Sequence, residues 1–322
     1  MRRSALFVVC TVLLLIPLAT ACGDDQANDA DPRPVTLALD FQPNAVHAGI
    51  YTALARDLDN AHGIDLDVRV PSSSTDSLKL LAAGRADASV VDIHDLGLAA
   101  ERGADLVGIA ALVQRPLAAV IAQPHIRRPR DLENRRVGVT GLPSDDAVLR
   151  ATVEADGGNY DAVRKITIGF SAVPSLASGK VDAVVTFWNA EGVALDHENI
   201  PTRQFRVDRY GAPRYPELVI ATTPDNLADD PQLYRDLIGT LTAGTQAALA
   251  NRPAAVREVA AASDSDPELV AAQLNAVAPA LRPPLTLDPT TLRAWANFDT
   301  RFRILKKRPN VSKLFNTSLT RP

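Results

Sequence analysis

From residue 35 onward, short apolar runs with the two-residue period of a strand alternate with runs of helical spacing. This alternation restricts the chain to layered α/β architectures with a mainly parallel or mixed sheet. Runs 35–39, 64–70, 87–91, 135–140, 165–170 and 181–186 read as strands, 106–113 and 117–122 are apolar enough for burial on both faces, and 218–222 is apolar and precedes Pro224. Runs 50–58, 77–83, 144–155 and 173–178 read as helices. Beyond Pro231 the chain is largely helical, with 232–250, 253–262, 267–277 and 289–303 each opening near a proline or an acidic residue, as helix starts do. One helix-to-strand junction occurs twice. Leu81-Ala82-Ala83-Gly84-Arg85-Ala86-Asp87-Ala88 and Leu176-Ala177-Ser178-Gly179-Lys180-Val181-Asp182-Ala183 both follow L-x-x-G-[KR]-[AV]-D-A. The glycine permits a left-handed helix end and the aspartate then opens a strand. Recurrence in both halves implies two similar α/β units, the second beginning after Gln123-Pro124.

The ends of the chain set the compartment expected for it. Arg2-Arg3, the apolar run 5–18 and the small residues Ala19-Thr20-Ala21 form a secretory signal over residues 1–21, to be kept apart from the fold. Removing it leaves 322 − 21 = 301 residues, enough for roughly two domains at about 150 residues each. The two cysteines are Cys10, inside the signal, and Cys22, so the mature fold has no disulfide, cysteine nucleophile or cysteine zinc site. Cys22 directly follows the small residues and resembles the lipidated cysteine of a bacterial lipobox. That resemblance implies an exported protein held by acyl chains on the outer face of the bacterial cell membrane. An ordinary cleaved signal with an incidental cysteine is the alternative. Residues 22–34, polar with two prolines, read as a tether. After residue 21 no apolar run approaches the ~18 residues of a membrane span. The net charge is −4 with scattered basic residues, which argues against nucleic acid as a partner.

Catalytic signatures are missing: there is no G-x-S-x-G, H-E-x-x-H, P-loop or G-x-G-x-x-G. The histidines, His47, His62, His94, His125 and His197, have no ligand-like spacing, so neither a metal nor a cofactor is expected. Chemistry concentrates instead where strands end. Asp40-Phe41-Gln42-Pro43-Asn44 follows strand 35–39 and runs through His47 and Tyr51 into a helix, placing polar groups where open α/β sheets bind small molecules. Ser144 and Asp145 open a helix beyond strand 135–140, and they fit either N-capping or ligand contact. Their acidity partly cancels the positive helix end and favours a neutral or cationic ligand over an anion. Phe187-Trp188-Asn189-Ala190-Glu191 follows strand 181–186, and its amide and carboxylate are costly to bury as plain core. Tyr215-Pro216-Glu217 precedes the apolar run 218–222.

The string D-[FW]-x-P-N-x-x-H-x-G-x-Y-x-A at 40–53, the segment 141–150 and W-N-x-E-G at 188–192 resemble the thiamine-precursor-binding, NMT1/THI5-like branch of periplasmic substrate-binding proteins. The resemblance spans about residues 35–250 and departs at Phe41-Gln42, where such proteins commonly carry tryptophan and a second aromatic. It implies a two-lobe type II periplasmic-binding-protein fold with the ligand cleft between the lobes. The first lobe would hold 35–122 and 222–322, the second 123–221, and the chain would cross a hinge near 122–124 and 221–224. The implied role is the monomeric binding component of an ABC importer, working with a permease and its ATPase. Its ligand would be a flat heteroaromatic, a formyl-aminopyrimidine or hydroxymethylpyrimidine. That ring would stack between Trp188 and Phe41 or Tyr51, with Glu191, Asp40 and Asn44 bonding its edge, and with His47, Ser144, Asp145, Asn189 and Tyr215 completing the site. Glu217 would support the hinge. Riboflavin, or a sulfonate or nitrate, is the alternative cargo. A pyrimidine-synthesising enzyme of the same family is the alternative of another class, and the export signal and lack of a cysteine cluster argue against it.

Overall fold

The computed structural model describes residues 31–73 and 76–320. Ten strands appear among the described residues: β1 (Arg33–Ala38), β2 (Ile64–Arg69), β3 (Ala88–Asp92), β4 (Val107–Ala111), β5 (Ala118–Ala122), β6 (Arg136–Val139), β7 (Arg164–Thr167), β8 (Ala183–Phe187), β9 (Arg203–Arg206) and β10 (Leu218–Thr222). They form two five-stranded sheets of matching design, ordered β2-β1-β3-β10-β4 and β7-β6-β8-β5-β9. In each sheet the first three strands are parallel, and one strand, β10 or β5, runs antiparallel to both its neighbours. That strand is in each case the first one laid down after the chain crosses between sheets.

The crossings therefore lie at 112–117 and 207–217. The expected positions, 122–124 and 221–224, are corrected because β5 belongs to the second sheet and β10 to the first. Both strands are apolar except for Thr222 at the end of β10, and both are buried on both faces, so their sequences carry no sign of which sheet they join. Arg33 and Pro34 likewise belong to β1 and not to a tether. The signal, Cys22 and the tether as far as residue 30 lie outside the described residues.

Helices cover the sheets: α1 (Ala48–Ala55), α2 (Leu58–Ala61), α3 (Asp76–Ala82), α4 (Ile93–Glu101), α5 (Pro143–Ala155), α6 (Ala172–Ala177), α7 (Glu191–His197), α8 (Pro224–Asp229), α9 (Pro231–Ala250), α10 (Arg252–Ser263), α11 (Pro267–Val277), α12 (Pro289–Arg301) and α13 (Val311–Leu314). Asp230, Asn251, Asp266 and Asp288 cap α9 to α12, each followed at once or after one residue by proline. No described helix is long and apolar enough to cross a membrane. The repeated junction has one physical job. Gly84 and Gly179 take φ of +62° and +69°. Asp87 and Asp182 then accept the backbone N–H of Thr36 (2.8 Å) and Arg136 (2.9 Å), anchoring the central strand of each sheet to its neighbour.

Gly49, inside the motif at 40–53, serves packing. Helices α1 and α9 cross so closely that a Cβ on Gly49 would lie 2.1 Å from Thr245 Oγ1, and one on Gly244 2.1 Å from the Gly49 carbonyl. Gly244→Ala should therefore destabilise by about 1–3 kcal/mol or more, as overpacking does, while saturating ligand still binds. A melting temperature equal to wild type would refute the close crossing.

Candidate functional site

A pocket opens between the two sheets, enclosing about 770 Å³ of space with its outer part open to solvent. Its walls are strand ends and the helix starts that follow them. Asp40 and Phe41 come from the loop after β1, Asp92 and Asp95 from the turn of β3 into α4, and Thr140 from the end of β6. Ser144 and Asp145 come from the first turn of α5, Phe170 from the loop after β7, Thr186 and Phe187 from the end of β8, and Glu191 from the start of α7. Parallel strands present their carboxyl ends on one side, which is why residues so distant in sequence converge.

Local hydrogen bonds hold each acid in place. His47 is fully buried; its Nδ1 accepts the Asn44 backbone N–H (3.2 Å), which leaves Nε2 to donate to Asp40 (2.9 Å). Asn44 Oδ1 accepts the Val46 N–H at 3.0 Å and caps the following turn. Asp92 caps α4 by accepting the His94 N–H at 2.7 Å. One oxygen of Asp145 accepts from Thr140 N (2.6 Å), Thr140 Oγ1 (2.7 Å) and Gly141 N (3.1 Å). Glu191 accepts the Phe187 N–H at 3.3 Å.

Several contacts cross the cleft and hold the lobes closed around the pocket. Ser144 donates both its N–H (3.2 Å) and its hydroxyl (2.8 Å) to Asp95. Phe41 meets Phe170 edge to face, with ring centroids 4.5 Å apart. The Gln273 amide donates to the Ala190 carbonyl (3.3 Å), and His197 Nε2 lies 3.1 Å from Asp266.

Five carboxylates line the pocket, Asp40, Asp92, Asp95, Asp145 and Glu191, and no Lys, Arg or His is among its described lining residues. Burial is the main reason Asp92, Asp95, Asp145 and Glu191 hold their protons tightly. It raises Asp95 to about 6 and Asp145 to about 7, against the bonds from Ser144 and Thr140. It raises Glu191, with Asp40 adding to the effect, and takes Asp92 well above the usual carboxylate range. These acids also stand at the starts of α4, α5 and α7, where they oppose the positive helix ends that would hold an anion. The arrangement offers hydrogen-bond acceptors and negative charge to a flat ligand rich in N–H.

Five residues expected from the sequence meet here: Asp40, Phe41, Ser144, Asp145 and Glu191. Six do not line the pocket. Asn44 and His47 stand behind Asp40. Tyr51 is half-buried against the first lobe's core, and burial raises its phenol to about 12. The Trp188 indole donates to the Pro116 carbonyl at 3.2 Å, and the Arg206 guanidinium covers its ring at 3.9 Å, so its face is already occupied. Asn189 is fully buried, with neither amide atom partnered. Tyr215 is fully buried with its hydroxyl 3.1 Å from His94 Nε2, so it belongs to the core below the cleft. The aromatic lining is thus Phe41, Phe170 and Phe187. Asp92, Asp95 and Phe170 escaped the sequence reading. The signal for the acids was present, because Asp92-Ile93-His94-Asp95 follows a strand as Asp40 and Glu191 do.

Residues 44–255 match the NMT1/THI5-like family, and the chain belongs to it. It is 34% identical over 218 residues to the formylaminopyrimidine-binding protein of Halalkalibacterium halodurans, a match covering 66% of each chain. It is 26% identical over 198 residues to a putative thiamine biosynthesis protein of Haemophilus influenzae, covering 61% of this chain and 63% of that one. The chain thus spans slightly under two thirds of the length of these relatives. Among solved structures, the alkanesulfonate-binding protein SsuA from Xanthomonas axonopodis pv. citri bound to MOPS aligns with a TM-score of 0.72 at 17% identity, covering 89% of this chain and 99% of that one. The shared two-lobe fold is that of the periplasmic binding proteins.

The raised acids carry a pH signature. A carboxyl whose folded pKa exceeds its unfolded value of about 3.9 binds more protons when folded. Its contribution to stability is complete below that value and is lost as pH rises through about 6 for Asp95 and about 7 for Asp145. The ligand-free melting temperature should therefore fall between about pH 4 and about pH 7, and Asp145→Asn should flatten the upper part of the curve. An identical slope in the variant would contradict the burial of a titrating acid there.

Proposed function

We propose that this protein is the exported substrate-binding component of an ABC importer and that its cargo is an aminopyrimidine of the thiamine-precursor class. The observation that carries this reading is the lining of the inter-lobe pocket, five carboxylates and three phenylalanines with no basic residue. A flat aminopyrimidine matches it. Its ring packs against Phe41, Phe170 or Phe187, while its exocyclic amine and protonated ring nitrogen donate to Glu191, Asp40 and the acids at the α4 and α5 starts. Ring packing worth roughly 1–3 kcal/mol per face and charge-assisted bonds of roughly 1.5–3 kcal/mol each exceed the ordering costs. Binding in the micromolar range or tighter, about −8 kcal/mol, follows. The name of the Halalkalibacterium relative supports the same cargo. A sulfonate or nitrate, by contrast, would enter a negatively lined site with no cation to meet it. Closure of the lobes over the ligand presents one surface to the permease and its ATPase, and acylation of Cys22 would keep the protein at the membrane.

The test is ligand-induced thermal stabilisation with formylaminopyrimidine, hydroxymethylpyrimidine, riboflavin, taurine and nitrate. A rise with the pyrimidines only is expected. Glu191→Ala and Phe41→Ala should each weaken pyrimidine binding by about tenfold or more. Trp188→Ala should lower the melting temperature yet leave the affinity within about threefold, because its ring packs against Arg206 and the hinge segment. A response to taurine or nitrate alone would overturn the cargo assignment.

A further inference from the structure

We propose that His94, bonded to Tyr215 and Asp299, is the positioning hub of the cleft: it sets the two pocket carboxylates that flank it, Asp92 and Asp95, and ties them to the inter-lobe crossings. The proposal deepens the aminopyrimidine reading and rests on it for the ligand side of its test.

His94 occupies the first turn of α4 and is fully buried. Its Nδ1 lies 2.7 Å from Asp299 of α12, and its Nε2 lies 3.1 Å from the Tyr215 hydroxyl. The Trp295 indole nitrogen, 3.2 Å from Nδ1, closes the same corner, and the Tyr215 ring stands edge-on at 5.1 Å. A side chain held at both nitrogens cannot turn, so the start of α4 is fixed, and with it the Asp92 and Asp95 carboxylates.

The same residues reach the crossings. Tyr215 and Glu217 are on the second crossing. Glu217 accepts the Leu117 N–H of the first crossing at 2.7 Å, and its own N–H donates to Val113 at 3.1 Å. Its carbonyl accepts the Ile93 N–H at 3.0 Å, one residue from His94. Pocket acids, α4 start and both crossing segments therefore form one bonded unit.

Charge gives the hub its second role. The acids facing it are Asp92 and Asp95 beside it, Glu217 on the crossing and Asp299 on α12, with Arg102 at the far end of α4 and Ser144 bonded to Asp95. No Lys or Arg is buried among the described residues, so the imidazolium is the buried cation that serves this group. Burial pushes the imidazole down, but Asp299 overrides it and raises it to about 10, which keeps the cation in place at neutral pH. His94 in turn lowers Asp92, Asp95 and Glu217. An apolar residue would pack this corner but would not set those charges.

Two variants, His94→Gln and Tyr215→Phe, test the hub with two readouts. His94, raised to about 10, contributes stability that is lost as pH rises from about 6.5 to about 10, so without ligand the stability of His94→Gln should fall less steeply than that of wild type between about pH 8 and about pH 10. A purely structural role would shift the curve without changing its slope. With formylaminopyrimidine as the probe, the Kd should rise about tenfold or more in His94→Gln and about threefold to tenfold in Tyr215→Phe. Parallel pH curves, together with Kd values within twofold of wild type, overturn the proposal. If wild type does not bind the probe, the aminopyrimidine reading fails, and the pH slopes alone decide the hub. If His94→Gln does not fold, Tyr215→Phe, which deletes one hydroxyl, decides it through its Kd.

Discussion

A cluster of carboxyl groups buried between two lobes is the constraint on which this structure depends. Carboxylates are rarely kept out of water without partners, yet five of them line one pocket here. The fold supports them in distinct ways. Backbone and hydroxyl donors surround Asp145 and Asp95, a buried histidine holds Asp40, and a second buried histidine serves Asp92 and Asp95 from below. What these donors do not satisfy is held as protons, as the raised acids show. A ligand bearing N–H groups supplies the remaining partners, so its binding and the closure of the lobes are driven by the same interaction.

Much of the fold was legible because its local rules are strong. The alternating runs locate six strands to within about three residues, three further apolar runs fall on β4, β5 and β10, and the doubled L-x-x-G-[KR]-[AV]-D-A junction announces two similar sheets. The structure adds the reason for that repeat: Asp87 and Asp182 accept equivalent strand-edge N–H groups. Sheet membership was not legible. β5 and all of β10 but Thr222 are apolar, and such a run fits either sheet equally well, which is why the crossings differ from those expected. β9 (Arg203–Arg206) was overlooked because a short edge strand of charged and polar residues carries little periodicity.

The lining of the candidate pocket is legible in its acids and less so in its aromatics. Asp40, Asp145 and Glu191 follow strands, and strand ends converge in this architecture regardless of partner contacts. Which face of an aromatic is free depends on neighbours far away in sequence. Trp188 looks like a stacking platform until Arg206, eighteen positions on, covers it, and Tyr215 looks like a cleft residue until His94 takes its hydroxyl. Phe170, which no motif singled out, reaches the pocket because the loop after β7 folds over to meet Phe41.

The most direct measurement is calorimetric titration of the wild-type protein with formylaminopyrimidine and, in parallel, with taurine at neutral pH. The account predicts saturable one-to-one binding of the pyrimidine, in the micromolar range or tighter at roughly −8 kcal/mol, and no heat from the sulfonate. Tight binding of taurine with none of the pyrimidine would contradict it, because a pocket lined by five carboxylates and no base has nothing with which to hold an anion.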